Sequence, residues 1–347
     1  MKIALAATAL FAGLAIGTPL AHAQSVEQFY KGRTVTLLIA TSPGGRYDLN
    51  GRLIARHLGR FIPGQPTIVV QNTPGAGGLV LANRLANTIE RDGSIIAVMQ
   101  PATPQVAFQG DTNAKFDPLK LTWFGSLSSF ANDADLLIVN ASHPAKTGLD
   151  LRKPGIVAKI GADTPGATNL IFGTIARDML GLNIQLVRGY PGAPALFLAM
   201  QSGELDGQVV LLSSLRAAQP ALWNAHRVRP LVQFGRVTRV PSLPDVPTAR
   251  ELVSDPKTLA LLDFAELPFF MALPLVGPPD IPGDRAKALE TAFMAMTKDP
   301  AFVADLETVQ LESSPIDGAA VLRLLEKASA TPKDVIAHYN AIVAPGN

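Results

Sequence analysis

Apolar runs, glycine-bearing loops and stretches with apolar residues at 3–4 spacing follow one another along most of the chain. Thr34–Ala40 reads as a β-strand that ends in Ser42-Pro43-Gly44-Gly45. A helix is predicted from near Asp48, with Leu49, Leu53, Ile54 and Leu58 on one face. A second strand, Thr67–Gln71, runs into Asn72-Thr73-Pro74-Gly75-Ala76-Gly77-Gly78 and then a helix carrying Leu79, Ala82, Leu85 and Ala86. Ser94–Met99 reads as a third strand. This alternation of strand, loop and helix predicts βαβ units on a mainly parallel sheet.

The middle of the chain repeats the rhythm. Leu136–Val139, Ile156–Ile160, Ile184–Val187 and Gln208–Leu212 read as strands, with helices at Thr168–Leu180, Pro194–Gln201 and Ala217–Ala225. Val228–Gln233 reads as a strand returning towards the first lobe. Leu267–Val276 is apolar but carries Pro268 and Pro274, which predicts a buried strand or loop. Arg285–Met296, Pro300–Thr308 and Ala319–Ala328 have helical spacing. The pattern predicts two α/β lobes, residues 24–127 plus 235–347 and residues 128–234, with chain crossings near Ser126–Ser129 and Phe234–Arg236.

Composition narrows the function classes. Hydrophobic residues make up 48% of 347 positions, enough to fill two cores. Cysteine is absent, which removes disulfides, thiolate metal sites and cysteine nucleophiles together. Net charge is only +2 and no basic block is present, so a nucleic-acid partner is not expected. Lys2, the apolar run Ile3–Ile16 and Ala21-His22-Ala23 have the layout of a secretory signal cleaved after Ala23. That run is shorter than the ~18–20 residues that span a bilayer. The expectation is an exported, periplasmic protein.

Four loops are candidates for chemistry. In Pro43-Gly44-Gly45-Arg46-Tyr47-Asp48, glycine permits close backbone approach. The following helix start favours an anion such as a carboxylate, and Arg46 could hold one bidentately. The same residues also read as a plain strand-to-helix turn, with Asp48 as N-cap or as the i,i+4 partner of Arg52 and Arg46 in solvent. Asn72, Pro74, Gly75, Ala76, Gly77 and Gly78 form a second loop of the same design, which places both at the carboxyl edge of one sheet, where open α/β sheets bind ligands. Neither matches a phosphate or dinucleotide fingerprint. In the middle lobe, Thr164, Thr168 and Asn169 either cap a helix or meet a ligand from the opposite side. Tyr190, in Gly189-Tyr190-Pro191-Gly192, lines a cleft or packs on the surface.

Catalytic machinery is not apparent. The five histidines are not spaced as metal ligands, and no Gly-x-Ser-x-Gly elbow occurs. Asp133 and Asp135 are the one tight carboxylate pair of note; their place before a strand predicts that they face solvent. Capture of a small molecule is therefore expected rather than its conversion. A receptor reporting to a sensor kinase, and a periplasmic hydrolase or isomerase of a small acid, stay open as rivals.

The landmarks Pro43-Gly44-Gly45-Arg46-Tyr47-Asp48, Asn72-Thr73-Pro74-Gly75-Ala76-Gly77-Gly78, Asp92-Gly93 and Leu243-Pro244-Asp245-Val246-Pro247-Thr248, in this order behind a leader, resemble the extracytoplasmic solute-binding receptors of tripartite tricarboxylate transporters, the Bug or TctC type. The resemblance runs over nearly the whole mature chain. It implies a type II periplasmic-binding-protein fold, with two α/β lobes, two crossings and a ligand cleft. It further implies a small organic acid held by the two glycine loops and completed by the second lobe, delivery to a membrane permease of one large and one small subunit, no cofactor, and a monomer. Arg46 stands where many relatives carry a small residue. The Thr164–Asn169 and Gly189–Gly192 segments match the family pattern poorly.

Overall fold

The computed structural model describes residues 24–164, 167–309, 311 and 313–344. The leader read at residues 1–23, with its cleavage point, lies outside the described residues, as do Pro165 and Gly166 of the middle loop. Among the described residues no helix is long and apolar enough to cross a membrane.

Eleven described strands form two sheets. In chain order they are β1 (Thr34–Ile39), β2 (Thr67–Asn72), β3 (Ile95–Val98), β4 (Thr122–Ser126), β5 (Asp135–Asn140), β6 (Ala158–Gly161), β7 (Ile184–Val187), β8 (Gly207–Leu211), β9 (Val228–Phe234), β10 (Pro274–Gly277) and β11 (Ile316–Asp317). The first sheet has the order β11-β4-β10-β3-β1-β2 and the second β7-β6-β8-β5-β9. Both sheets are mixed rather than mainly parallel. β1 pairs with β2 and β3 in parallel, but β10 returns antiparallel between β3 and β4. In the second sheet β6 runs parallel to β7 and β8, while β5 runs antiparallel to β8 and β9. β5 and β10 each follow a passage between the sheets, where no βαβ crossover sets their direction, and the short β11 adds antiparallel to β4 at the edge.

Two stretches connect the sheets, residues 127–134 and residues 235–273. They are laced to each other. The Ser126 hydroxyl donates to Ser128 O (2.8 Å) and accepts from Leu273 N (3.1 Å), Ala272 N donates to Ser128 O (2.9 Å), and the Arg236 guanidinium donates to Phe130 O. Burial of these backbone groups requires such partners, so the connection is a fixed junction of named hydrogen bonds. Phe130, Phe269, Phe172 and Phe234 form a contiguous ring cluster there, with centroids 5.2, 5.5 and 4.7 Å apart in that order.

Several elements differ from the pattern reading. The helix Pro256–Phe270 was not predicted; its apolar residues surround a few scattered polar ones, which conceals helical periodicity, and Pro268 lies inside it. Of the predicted Leu267–Val276 stretch only Pro274–Val276 is strand, the strand running on to Gly277. The expected Ala217–Ala225 helix is two short ones, Leu212–Ala218 and Pro220–Asn224, broken where Pro220 lacks the N–H to continue the first. β9 forms the edge of the second sheet, antiparallel to β5, and leads into the connection back to the first. Asp133 and Asp135, read as solvent-facing, are 5% and 6% exposed. Residues remote in sequence, packed at the junction, cover them.

The landmark Leu243–Thr248 is structural. The Gln233 side-chain amide donates to Leu243 O (3.0 Å) and Val246 O (2.7 Å), and Gln233 N donates to Pro247 O (2.9 Å). Thr248 and Glu251 then form a capping box that starts the turn Ala249–Leu252. The segment fastens the outgoing connection along the edge strand of the second sheet.

Candidate functional site

The parallel strands β1, β2 and β3 all end on one edge of the first sheet, which brings the loops after Ile39, Asn72 and Val98 side by side. Asp48 ties the first two together. Its Oδ2 accepts from Gly44 N (2.9 Å) and Arg52 Nε (3.0 Å), and its Oδ1 accepts from Asn72 Nδ2 (2.9 Å). Asn72 Nδ2 also donates to Thr41 O at 2.9 Å, and Arg52 Nη2 donates to Asn72 Oδ1 at 3.2 Å. These partners, the Arg52 hydrogen bond foremost, hold the Asp48 carboxyl down at about 2. Asp48 is therefore the rivet of the two loops. The N-cap of the helix is Gly45, and the helix runs Arg46–Leu58.

The second loop is wound in the left-handed region from Gly75 to Gly78, Ala76 included at φ 44°. Gly78 has φ 93°, and a Cβ there would lie 2.5 Å from the Thr103 hydroxyl, so only glycine fits. That hydroxyl donates to Gly77 O (3.0 Å), which locks the loop against the Gln100–Thr103 turn.

Where the two sheets face each other a cavity of about 380 Å³ opens, within the ~300–1,000 Å³ of small-molecule sites. On the first-sheet side stand Arg46, Tyr47 and the Pro101–Ala102 turn; on the second-sheet side Asp135, Leu211 and Thr168; Phe130 and Phe269 of the connections lie between. Asp135 and Leu211 are register partners in the β5–β8 ladder, so one edge of the second sheet delivers both. Thr168 is the first residue of the helix Thr168–Asp178, whose N-cap, Ala167, has no side-chain cap. Gly45 and Gly78, which begin the helices Arg46–Leu58 and Leu79–Asn87, likewise provide none. Three helix starts thus present backbone N–H groups without a capping side chain.

Arg46 is exposed, and no ion pair engages its guanidinium among the described residues. Burial raises the Tyr47 hydroxyl above its usual range, against the pull of Arg46. Asp135 differs from every other polar group of the lining: its Oδ2 is buried with no hydrogen-bond partner. Burial, reinforced by the negative charges of Asp133 and Glu266, pushes its carboxyl up to about 8. Further unpartnered buried oxygens, Thr41 Oγ1, Thr73 Oγ1 and Asp163 Oδ1, sit just past the ends of β1, β2 and β6.

Of the residues singled out from sequence, Arg46, Tyr47 and Thr168 come together around this cavity. Pro43, Gly44 and Gly45 lie in the exposed turn just before it. Asn72 and Asp48 are engaged with each other, and Pro74, Gly75, Ala76, Gly77 and Gly78 sit behind the Pro101–Ala102 turn. Thr164 is exposed outside the lining. The Asn169 amide oxygen accepts from Asp163 N at 3.2 Å and so shapes its own loop. The Tyr190 hydroxyl donates to Glu204 at 2.5 Å, on the second-sheet core and away from the lining. The pattern reading missed Pro101, Ala102, Phe130, Leu211 and Phe269, and it placed Asp135 in solvent. An acid at the head of the apolar run Leu136–Val139 was the one available signal.

Residues 52–341 match the tripartite tricarboxylate transporter family receptor. The chain belongs to this family. The matched span holds the Asn72–Gly78 loop and the Leu243–Thr248 fastening; the Pro43–Asp48 loop precedes it. The chain is 24% identical over 328 residues to a UPF0065 protein of Agrobacterium vitis, covering 92% of this chain and 88% of that one. It is 28% identical over 245 residues to a UPF0065 protein of Cupriavidus necator, covering 69% of this chain and 70% of that one. Among solved structures, a TctC solute binding protein from Polaromonas aligns with a TM-score of 0.69 at 18% identity, over 89% of this chain and 99% of that chain. The periplasmic binding protein BugD aligns at 0.53 with 18% identity, over 91% and 99%. The two-sheet architecture is thus that of the periplasmic binding proteins, as the sequence landmarks implied, and family and fold are those of solute-binding receptors.

Proposed function

We propose that this receptor captures a small carboxylate in the periplasm, without transforming it, for a permease of one large and one small subunit. The lobes are residues 24–127 plus 235–347 and residues 128–234, closing on the ligand as a monomer with no cofactor. One observation carries the reading: an unpaired guanidinium, Arg46, stands beside an uncapped helix start in a cavity of about 380 Å³ between the two sheets. Cation and helix start both favour an anion, and Arg46 has the planar fork that holds a carboxylate bidentately. The mainly apolar remainder of the lining, with few polar groups, suits a small molecule. The unpartnered buried Oδ2 of Asp135, a residue of the lining, supports a polar occupant. Closure follows only from a ligand that binds the closed form better than the open one.

A thermal-shift screen over mono-, di- and tricarboxylates, amino acids and aromatic acids tests this. Stabilisation by one acid class is expected, growing with ligand concentration. Stabilisation by a sugar or a metal ion with none from any acid would overturn it.

A further inference from the structure

Asp135 is 6% exposed, lines the cavity, and keeps one carboxylate oxygen buried and unpartnered. The acids around it are provided for. Asp133 Oδ1 accepts from Ala134 N (2.9 Å) and Ser213 N (3.1 Å). Glu266 accepts from Gly235 N (2.9 Å) and pairs with Arg250 (2.6 Å). No arginine, lysine or histidine pairs with Asp135 among the described residues, and Arg46, across the same cavity, is unpaired as well. One wall therefore offers a cation without a counter-ion and the other a buried carboxyl without one.

A second anionic group on the ligand would meet the negative field of Asp133 and would oppose ionisation of Asp135. A cationic group there would supply the missing counter-charge and satisfy the orphaned oxygen, whose isolation otherwise costs free energy. We infer that the ligand is amphoteric: a small acid whose carboxylate faces Arg46 and whose protonated amino group faces Asp135. This rests on the reading of the cavity as the capture site. The raised Asp135 carboxyl agrees with it, since a group held neutral when the cavity is unfilled gives up its proton to bind a cation. A site built around a hydrogen-bonding group of its ligand rejects the analogue that lacks it, because the buried polar atom then stays unpaired.

The test is calorimetric titration of the purified protein with matched pairs: L-aspartate against succinate, L-glutamate against glutarate, L-alanine against propionate, and 4-aminobutyrate against butyrate. Within the pair that binds, the amino acid should bind at least about tenfold more tightly. Asp135→Asn should remove most of that preference by weakening the amino acid and leaving its partner nearly unchanged. Equal or tighter binding of the partner lacking nitrogen overturns the amphoteric assignment while leaving carboxylate capture standing. Binding of none of these acids overturns the amphoteric assignment; carboxylate capture falls with it only if the wider thermal-shift screen also finds no acid. The wild-type comparison decides the matter even if Asp135→Asn fails to fold.

Discussion

Asp48 and Asp135 are buried to nearly the same degree, 4% and 6% exposed; Asp48 lies in the first turn of the helix after β1, and Asp135 begins β5. Their chemistry is opposite. Asp48 has a backbone N–H, an amide and a guanidinium on its two oxygens and is held at about 2; Asp135 has an unpartnered oxygen and acidic neighbours and is pushed up to about 8. Burial alone therefore says nothing of a carboxyl's role. Asp48 has its partners within the protein and builds the loops. Asp135 lacks them, and a lack of that kind inside a cavity marks a place for a ligand group.

The comparison breaks most visibly at the two aspartates themselves. Asp48→Asn turns one acceptor into a donor facing Arg52, Gly44 N and Asn72, and should cost about 2 kcal/mol of stability at pH 7, the order of a buried polar group left unmatched. The Asp48 contribution is present above the unfolded pKa near 4 and disappears as pH falls through about 2. For Asp135 the sign reverses. Its folded pKa lies above the unfolded one, so its contribution is complete below pH ~4 and is lost as pH rises through about 8. Asp135→Asn should thus match the wild type near pH 4 and exceed it by several degrees in Tm at pH 9, roughly 2–4 °C for each kcal/mol in a chain of this size. Thermal melts across pH check both. A shallower wild-type decline should persist in Asp135→Asn, because burial also raises Glu266 against the pull of Arg250.

The two arginines near Asp48 give the next contrast. Arg46 faces the cavity unpaired, whereas Arg52 is spent on Asp48 and Asn72. With the acid found by thermal shift, Arg46→Ala should weaken binding about 10- to 100-fold, the worth of a charge-assisted hydrogen bond. Arg52→Ala should stay within about threefold. Equal losses by calorimetry would return Arg46 to the solvated-turn reading. The smallest expected effect is at Tyr190→Phe, which loses only the bond to Glu204 and should leave affinity unchanged.

The features legible in the sequence were those set by local chemistry. Glycine at Gly75, Gly77 and Gly78 announces backbone that other residues resist, and apolar residues at Leu53, Ile54 and Leu58 announce a buried helix face. The solute-receptor fold followed from such landmarks in order. What stayed hidden is assembled from afar. Phe130 meets Phe269 across the two connections, and Asp135 is covered by neighbours that no spacing rule links to it. The helix Pro256–Phe270 was hidden for a related reason: apolar residues are spread round it, and Lys257, Asp263 and Glu266 form no polar stripe to reveal its period.

The most direct measurement is a crystal structure of the protein with the acid that stabilises it most. The carboxylate is predicted within hydrogen-bonding distance of the Arg46 guanidinium and the N–H groups at the start of the Arg46–Leu58 helix, with its second polar group on Asp135. An acid bound elsewhere, touching neither Arg46 nor Asp135, would contradict the account.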